Sequence, residues 1–102
     1  MGMYLTAECV LHVRNFMNIC KQLDLPLVDY DKEDCIAVIT KDKFTQYQAK
    51  MTELVDGLAC GKKVGYWEMD FMCAFTVIHQ AYLDKLCGSE DYDPPWEDLV
   101  FV

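Results

Sequence analysis

Basic side chains almost vanish from the last third of this sequence. Residues 64 to 102 carry one, Lys85, against eight Asp and Glu, whereas residues 1 to 63 hold eight Lys and Arg against nine acids. The formal net charge of −8 therefore belongs almost entirely to the C-terminal third. A surface of that sign repels nucleic-acid phosphates and anionic headgroups, and it attracts basic partners with electrostatic steering at low salt. Direct nucleic-acid binding and membrane binding are not expected.

Metal-ligand spacings are missing as well. The two histidines, His12 and His79, are isolated, no C-x-x-C or H-x-x-x-H occurs, and no two of the six cysteines are closer than eleven residues. Gly-rich phosphate loops, G-x-S-x-G, H-E-x-x-H and the EF-hand pattern are absent. The paired acids Asp29 with Asp31, and Glu33 with Asp34, fall where a turn favours Asp for its own hydrogen bonding. The acidic stretch 89–98 has two prolines and no glycine hinge, unlike a calcium loop. The expectation is a protein that is not an enzyme, with no cofactor and no catalytic or metal residue.

Long apolar runs are also lacking. The strongest, "FMCAFTVI" at 71–78, is far shorter than the ~20 residues that span a bilayer. The even cysteine count invites a disulfide framework, but no secretory signal pattern opens the chain, and most of the cysteines sit where a small apolar residue would serve. Reduced, core or half-buried thiols in a cytoplasmic protein are expected. The start "MGMYLT" matches a myristoylation pattern with Thr6 in place, but a second methionine at Met3 favours reading Met1-Gly2 as cloning residue, with 1–5 disordered.

What is present is ordinary for a globular fold: 102 residues, 53% hydrophobic and 25% charged. A folded chain of this length buries roughly 60–70% of its unfolded surface, enough for one domain over 1–102. Residues 7–23 repeat apolar side chains at Cys9, Val10, Val13, Phe16, Met17, Cys20 and Leu23, the spacing of an amphipathic helix, with Thr6 as its cap. His12 and Arg14 lie off that stripe. "LPLVDY" (25–30), the turn "DKED" (31–34) and "CIAVIT" (35–40) predict a β-hairpin, with Pro26 at an edge or strand start. "CIAVIT" is apolar on both faces, as in a central strand covered on both sides, and so needs a second neighbour.

Residues 42–60 place Phe44, Tyr47, Met51, Leu54, Val55 and Leu58 on one stripe of a surface helix, capped by Asp42 or Thr40 and ended by Gly61. Residues 66–87 predict the longest helix, with one stripe at Trp67, Phe71, Phe75, Ile78, Tyr82 and Leu86 and a second at Met69, Cys73 and Val77. A helix apolar around most of its girth is buried on several sides, by the domain or by a partner. "LVFV" at 99–102 has strong β propensity and is the candidate neighbour for "CIAVIT". The predicted class is α+β, three helices on a small, mostly antiparallel sheet of about three strands, in the order α-β-β-α-α-β.

Anchored by "LVFV", the stretch "SEDYDPPWED" becomes a tethered acidic surface loop. Its Glu90, Asp91, Asp93, Glu97 and Asp98 supply steering charge, and Tyr92 and Trp96 supply aromatic anchors of the kind that dominate interface energies. These seven residues are the candidate partner-binding site, and a protein with a basic surface is the candidate partner. The physical type is that of small acidic inhibitors, such as immunity proteins, antitoxins and phage proteins that block restriction or CRISPR nucleases by placing carboxylates where phosphates would sit. The alternative is a structural or adaptor protein that forms a homodimer, or binds a partner, through the apolar helix 66–87.

Overall fold

The computed structural model describes residues 13–31, 33, 36–88 and 99–102. Its elements follow the expected order: α1 (Val13–Gln22), β1 (Asp29–Asp31), β2 (Ile36–Ile39), α2 (Lys41–Ala59), α3 (Tyr66–Leu86) and β3 (Leu99–Phe101). The readings made at the start of the chain, at His12 and at the loop 89–98 lie outside the described residues.

The helix boundaries follow from local chemistry. Thr40, in an extended conformation, accepts a hydrogen bond at Oγ1 from the Lys43 amide and so caps α2 in preference to Asp42. At the other end Gly61 takes φ of 83°, the Lys62 amide donates to the Gly57 carbonyl at 2.9 Å, and the Gly61 amide donates to Leu58 at 3.0 Å. These two bonds are the Schellman pattern, which the glycine admits because it has no Cβ to clash. The same pattern ends α1, where the Leu25 amide reaches the Cys20 carbonyl at 2.8 Å, but the left-handed position is occupied by Asp24. At the start of α3 the Gly65 amide donates to Glu68 Oε1, half of a capping box.

β2 is the central strand. It pairs antiparallel with β1 in the register Asp29 to Val38, Tyr30 to Ala37 and Asp31 to Ile36. It pairs parallel with β3, Ala37 to Leu99 and Ile39 to Phe101, so the sheet is mixed. The parallel ladder runs on to the start of α2, with Val102 donating to Ile39 and accepting from Lys41. Two differences from the expected hairpin have simple causes. The first strand is confined to Asp29–Asp31, because residues 25–28 are drawn toward α2, where the Tyr47 hydroxyl donates to the Pro26 carbonyl. Only one face of β2 is fully covered: Ala37 and Ile39 are buried, whereas Ile36 and Val38 are half-buried.

Aromatic rings link the layers. Phe16 of α1 meets Tyr47 of α2 edge-on at 5.3 Å and stacks on Phe71 of α3, while Phe44 of α2 sits against Phe75, Tyr82 and Phe101. Each such pair contributes about 0.5–1.5 kcal/mol beyond the area it buries. Ile19, absent from the expected α1 stripe, joins that core. Val55 and Leu58, expected on the buried stripe of α2, are 45% and 42% exposed, because the helix runs past its packing partners beyond Leu54.

Candidate functional site

The seven residues singled out as a partner site, Glu90, Asp91, Tyr92, Asp93, Trp96, Glu97 and Asp98, lie outside the described residues. What is described is the sheet that anchors the stretch. β3 starts at Leu99 beside Ala37, and because β3 runs parallel to β2, this is the end of the sheet where β1 finishes at Asp31 and the hairpin turn holds Glu33. Asp31 and Glu33 are exposed, and the Asp31 carboxylate accepts the Glu33 amide at 2.9 Å. Asp29, at the opposite end of β1, is held by Lys43 at 2.9 Å. The exposed acids Asp31 and Glu33 and the first residue of β3, Leu99, thus share one end of one sheet.

Cys20, Tyr47 and His79 are built into the core or packed against its aromatic rings. Cys20 is buried, and burial pushes its thiol up to about 12, an effect that a hydrogen bond with Tyr47 only partly offsets. The Tyr47 phenol is likewise driven upward, first by burial and then by the neighbouring Cys20. Both groups therefore stay protonated at neutral pH, and the thiol is inert. His79 stacks on Phe75 with centroids 5.7 Å apart and also lies near Phe44, so its ring serves as one more aromatic in the stack. Among the described residues no group of three or more His, Cys, Asp or Glu is placed to hold a metal ion. No described helix is long and apolar enough to cross a membrane.

The thiols depart from the expected pattern. Of the four described cysteines only Cys20 is buried; Cys60, Cys73 and Cys87 are exposed, and none of the four is in a disulfide. Cys73 and Cys87 are exposed because they lie on the side of α3 turned away from the core.

That side of α3 is the second notable surface. Phe71, Ala74, Phe75, Ile78 and Ala81 are buried against α1 and α2. The expected second stripe, Met69, Cys73 and Val77, faces outward, together with Tyr66 and Leu83. Met69 is 47% and Tyr66 48% exposed, so among the described residues α3 is covered on one side only. The all-round apolarity of residues 66–87 therefore resolves into a buried face and an uncovered one.

Two depressions also mark the described surface. One, of about 270 Å³, lies between the outer edge of β3 and α3, floored by Phe44, Tyr82 and Phe101 and bordered by Lys41 and Lys85. Lys85 is engaged there: its Nζ donates to the Phe101 carbonyl at 3.2 Å and lies 5.8 Å from the Phe101 ring centroid. The only basic residue of the C-terminal third thus fastens β3 to α3. The other depression, about 360 Å³, is bordered by Glu53, Asp56, Lys62, Lys63 and Glu68, a mixture of charges. No protein-family model, curated protein sequence or solved structure matches this chain.

Proposed function

We propose that this protein acts by occupying a surface: it presents carboxylates to a basic, nucleic-acid-binding face of another protein, such as a nuclease, and so excludes the nucleic acid. The observation that supports this reading is the register of β3. It seats Leu99, the residue that follows the acidic stretch in sequence, at the end of the sheet where Asp31 and Glu33 are exposed. Acids held on a folded sheet and its hairpin, as Asp31 and Glu33 are, lose less conformational entropy on binding than acids on a free tail, so more of their interaction energy appears as affinity. Long-range attraction to Lys and Arg on the target raises the association rate, and Tyr92 and Trp96 supply the apolar anchors.

The test starts from affinity purification out of native lysate at low salt, followed by elution at high salt. A basic nucleic-acid-binding protein released by salt is the expected partner. Neutralising Glu90, Asp91, Asp93, Glu97 and Asp98 together to Gln and Asn then weakens its binding at least about tenfold and flattens the salt dependence. Unchanged affinity in that variant overturns the reading.

The uncovered face of α3 favours a second reading, a structural or adaptor role in which that face is the main interface. A polar substitution at Met69 or Cys73 would then abolish the interaction while the acid substitutions leave it intact.

A further inference from the structure

The exposed side of α3 has a regular order that its composition alone does not reveal. Tyr66, Met69, Cys73, Thr76, Gln80, Leu83 and Cys87 are all exposed, and they follow one another at alternating spacings of three and four. That spacing is the a/d seam of a coiled coil, running the full length of the helix from its first residue to its C-cap. On a chain of net charge −8, none of the seven positions carries a charge. The acids that border the seam, Asp70 and Asp84, are buried and half-buried.

Two of its three hydrogen-bonding members, Thr76 and Gln80, already have partners within the helix; the third, Tyr66, stands at the end of the seam. The Thr76 hydroxyl donates to the Met72 carbonyl at 2.7 Å, and Gln80 Nε2 donates to Asp84 Oδ1 at 2.9 Å. Covering them therefore avoids part of the cost of stripping water from unpaired donors, since the Thr76 hydroxyl and one Gln80 N–H are already satisfied.

We propose that this seam is a self-interface, on which α3 of a second copy lies antiparallel about a two-fold axis through Thr76. The inference deepens the second reading above and is independent of the acidic one. In that register Thr76 meets Thr76 of the other copy, Cys73 meets Gln80, Met69 meets Leu83 and Tyr66 meets Cys87. Larger side chains oppose smaller ones at the ends, which a parallel pair would not achieve, since it would set Tyr66 against Tyr66 and Cys87 against Cys87. Antiparallel α3 helices also place opposite dipole ends together. The isologous contact closes on itself and forms a dimer without further growth.

A second copy fits this face better than a charged partner does, because a surface without charge offers no Coulombic gain to one and lets two acidic copies approach where repulsion is least. The strip is roughly 31 Å long and about 10 Å wide. Each copy therefore contributes a few hundred Å², short of the ~800 Å² per partner of a standard stable complex, so the dimer is a weak and reversible one.

Disulfide trapping of the full chain tests both the contact and its direction. In a background with Cys60, Cys73 and Cys87 changed to Ser, Thr76→Cys is expected to form an intermolecular disulfide under mild oxidation at least tenfold faster than Gln48→Cys, an exposed position on α2. Met69→Cys alone should be as slow as Gln48→Cys, because an antiparallel pair holds the two copies of residue 69 about 21 Å apart along the axis, whereas Met69→Cys combined with Leu83→Cys should cross-link. Adding Met69→Glu to Thr76→Cys should slow trapping at least tenfold. Since Met69 is exposed, that variant still folds, as circular dichroism would verify. Trapping of Thr76→Cys no faster than Gln48→Cys overturns the proposal. Fast trapping of Met69→Cys alone overturns its direction, and indifference to Met69→Glu overturns the seam.

Discussion

A single side chain that resists its own surroundings is the clearest residue-scale feature. Asp70 is the one charged residue among the described core positions, 5% exposed on α3, and among the described residues its carboxyl has no hydrogen-bond or ion-pair partner. Burial raises its pKa, because loss of water penalises the ionised form. The folded state therefore holds this proton more tightly than the unfolded chain does. The associated stability is fully present below the unfolded pKa and is lost as pH rises through the higher folded value. Asp70→Asn removes the charge and keeps the shape, so it is expected to stabilise the protein at pH 7 by about 1 kcal/mol, several degrees in Tm. The gain should fade toward zero below about pH 4, where the wild-type carboxyl is itself neutral. Thermal melts of both proteins across that range check it; a gain independent of pH would locate the effect somewhere other than the charge. The sequence did not disclose this site, because Asp70 sits between Met69 and Phe71 at a position that helical periodicity leaves on the margin of the buried stripe.

At the scale of elements, most of the architecture was readable and the misses have local causes. The helices at 42–60 and 66–87 and the terminal strand stand where the apolar rhythm, Gly61 and the strong β propensity of "LVFV" put them. Strand direction could not be read from propensity, since "LVFV" has the same composition either way. It is set by the chain path, which leaves β2, crosses α2 and α3 and returns alongside. The exposure of Val55 and Leu58 was equally hidden, because periodicity identifies a face and not whether a neighbour reaches it. The end of α1 was placed within one residue, at 23 against Gln22, but its capping residue went unnamed because it is an aspartate where glycine is usual. Asp24 has φ of 57°, a conformation that costs a residue with a Cβ about 1 kcal/mol, somewhat less for Asp than for most. Asp24→Gly should relieve that strain and raise stability by about 0.5–1 kcal/mol, partly offset by the freer unfolded chain. Urea unfolding would register it as a higher midpoint at constant slope; a lower midpoint would mean that the aspartate side chain contributes more than its backbone costs.

For the whole molecule, the candidate surfaces share no residue and respond oppositely to salt. The proposed acidic contact relies on attraction between unlike charges, which counter-ions screen over a Debye length of about 10 Å at 0.1 M. The α3 seam carries no charge, yet self-association brings together two bodies each of net charge −8, so the long-range term there is repulsive and screening relieves it. Raising ionic strength from roughly 0.05 to 0.5 M should therefore weaken capture of a basic partner and strengthen the homodimer, which apolar packing holds. Calorimetric titration of the partner and sedimentation of the free protein across the same salt series measure the two trends separately. Met69→Glu should abolish the second and leave the one-to-one partner affinity unchanged, while neutralising the five acids of 90–98 should do the reverse and make self-association less dependent on salt. A dimer presents two acidic ends, so a target with repeated basic sites would be held more tightly by the wild type than by Met69→Glu, through effective concentration and with no new contact. If Met69→Glu instead weakened one-to-one binding as much as loss of the acids, the seam would belong to the partner interface, and the two surfaces would have to be treated as one.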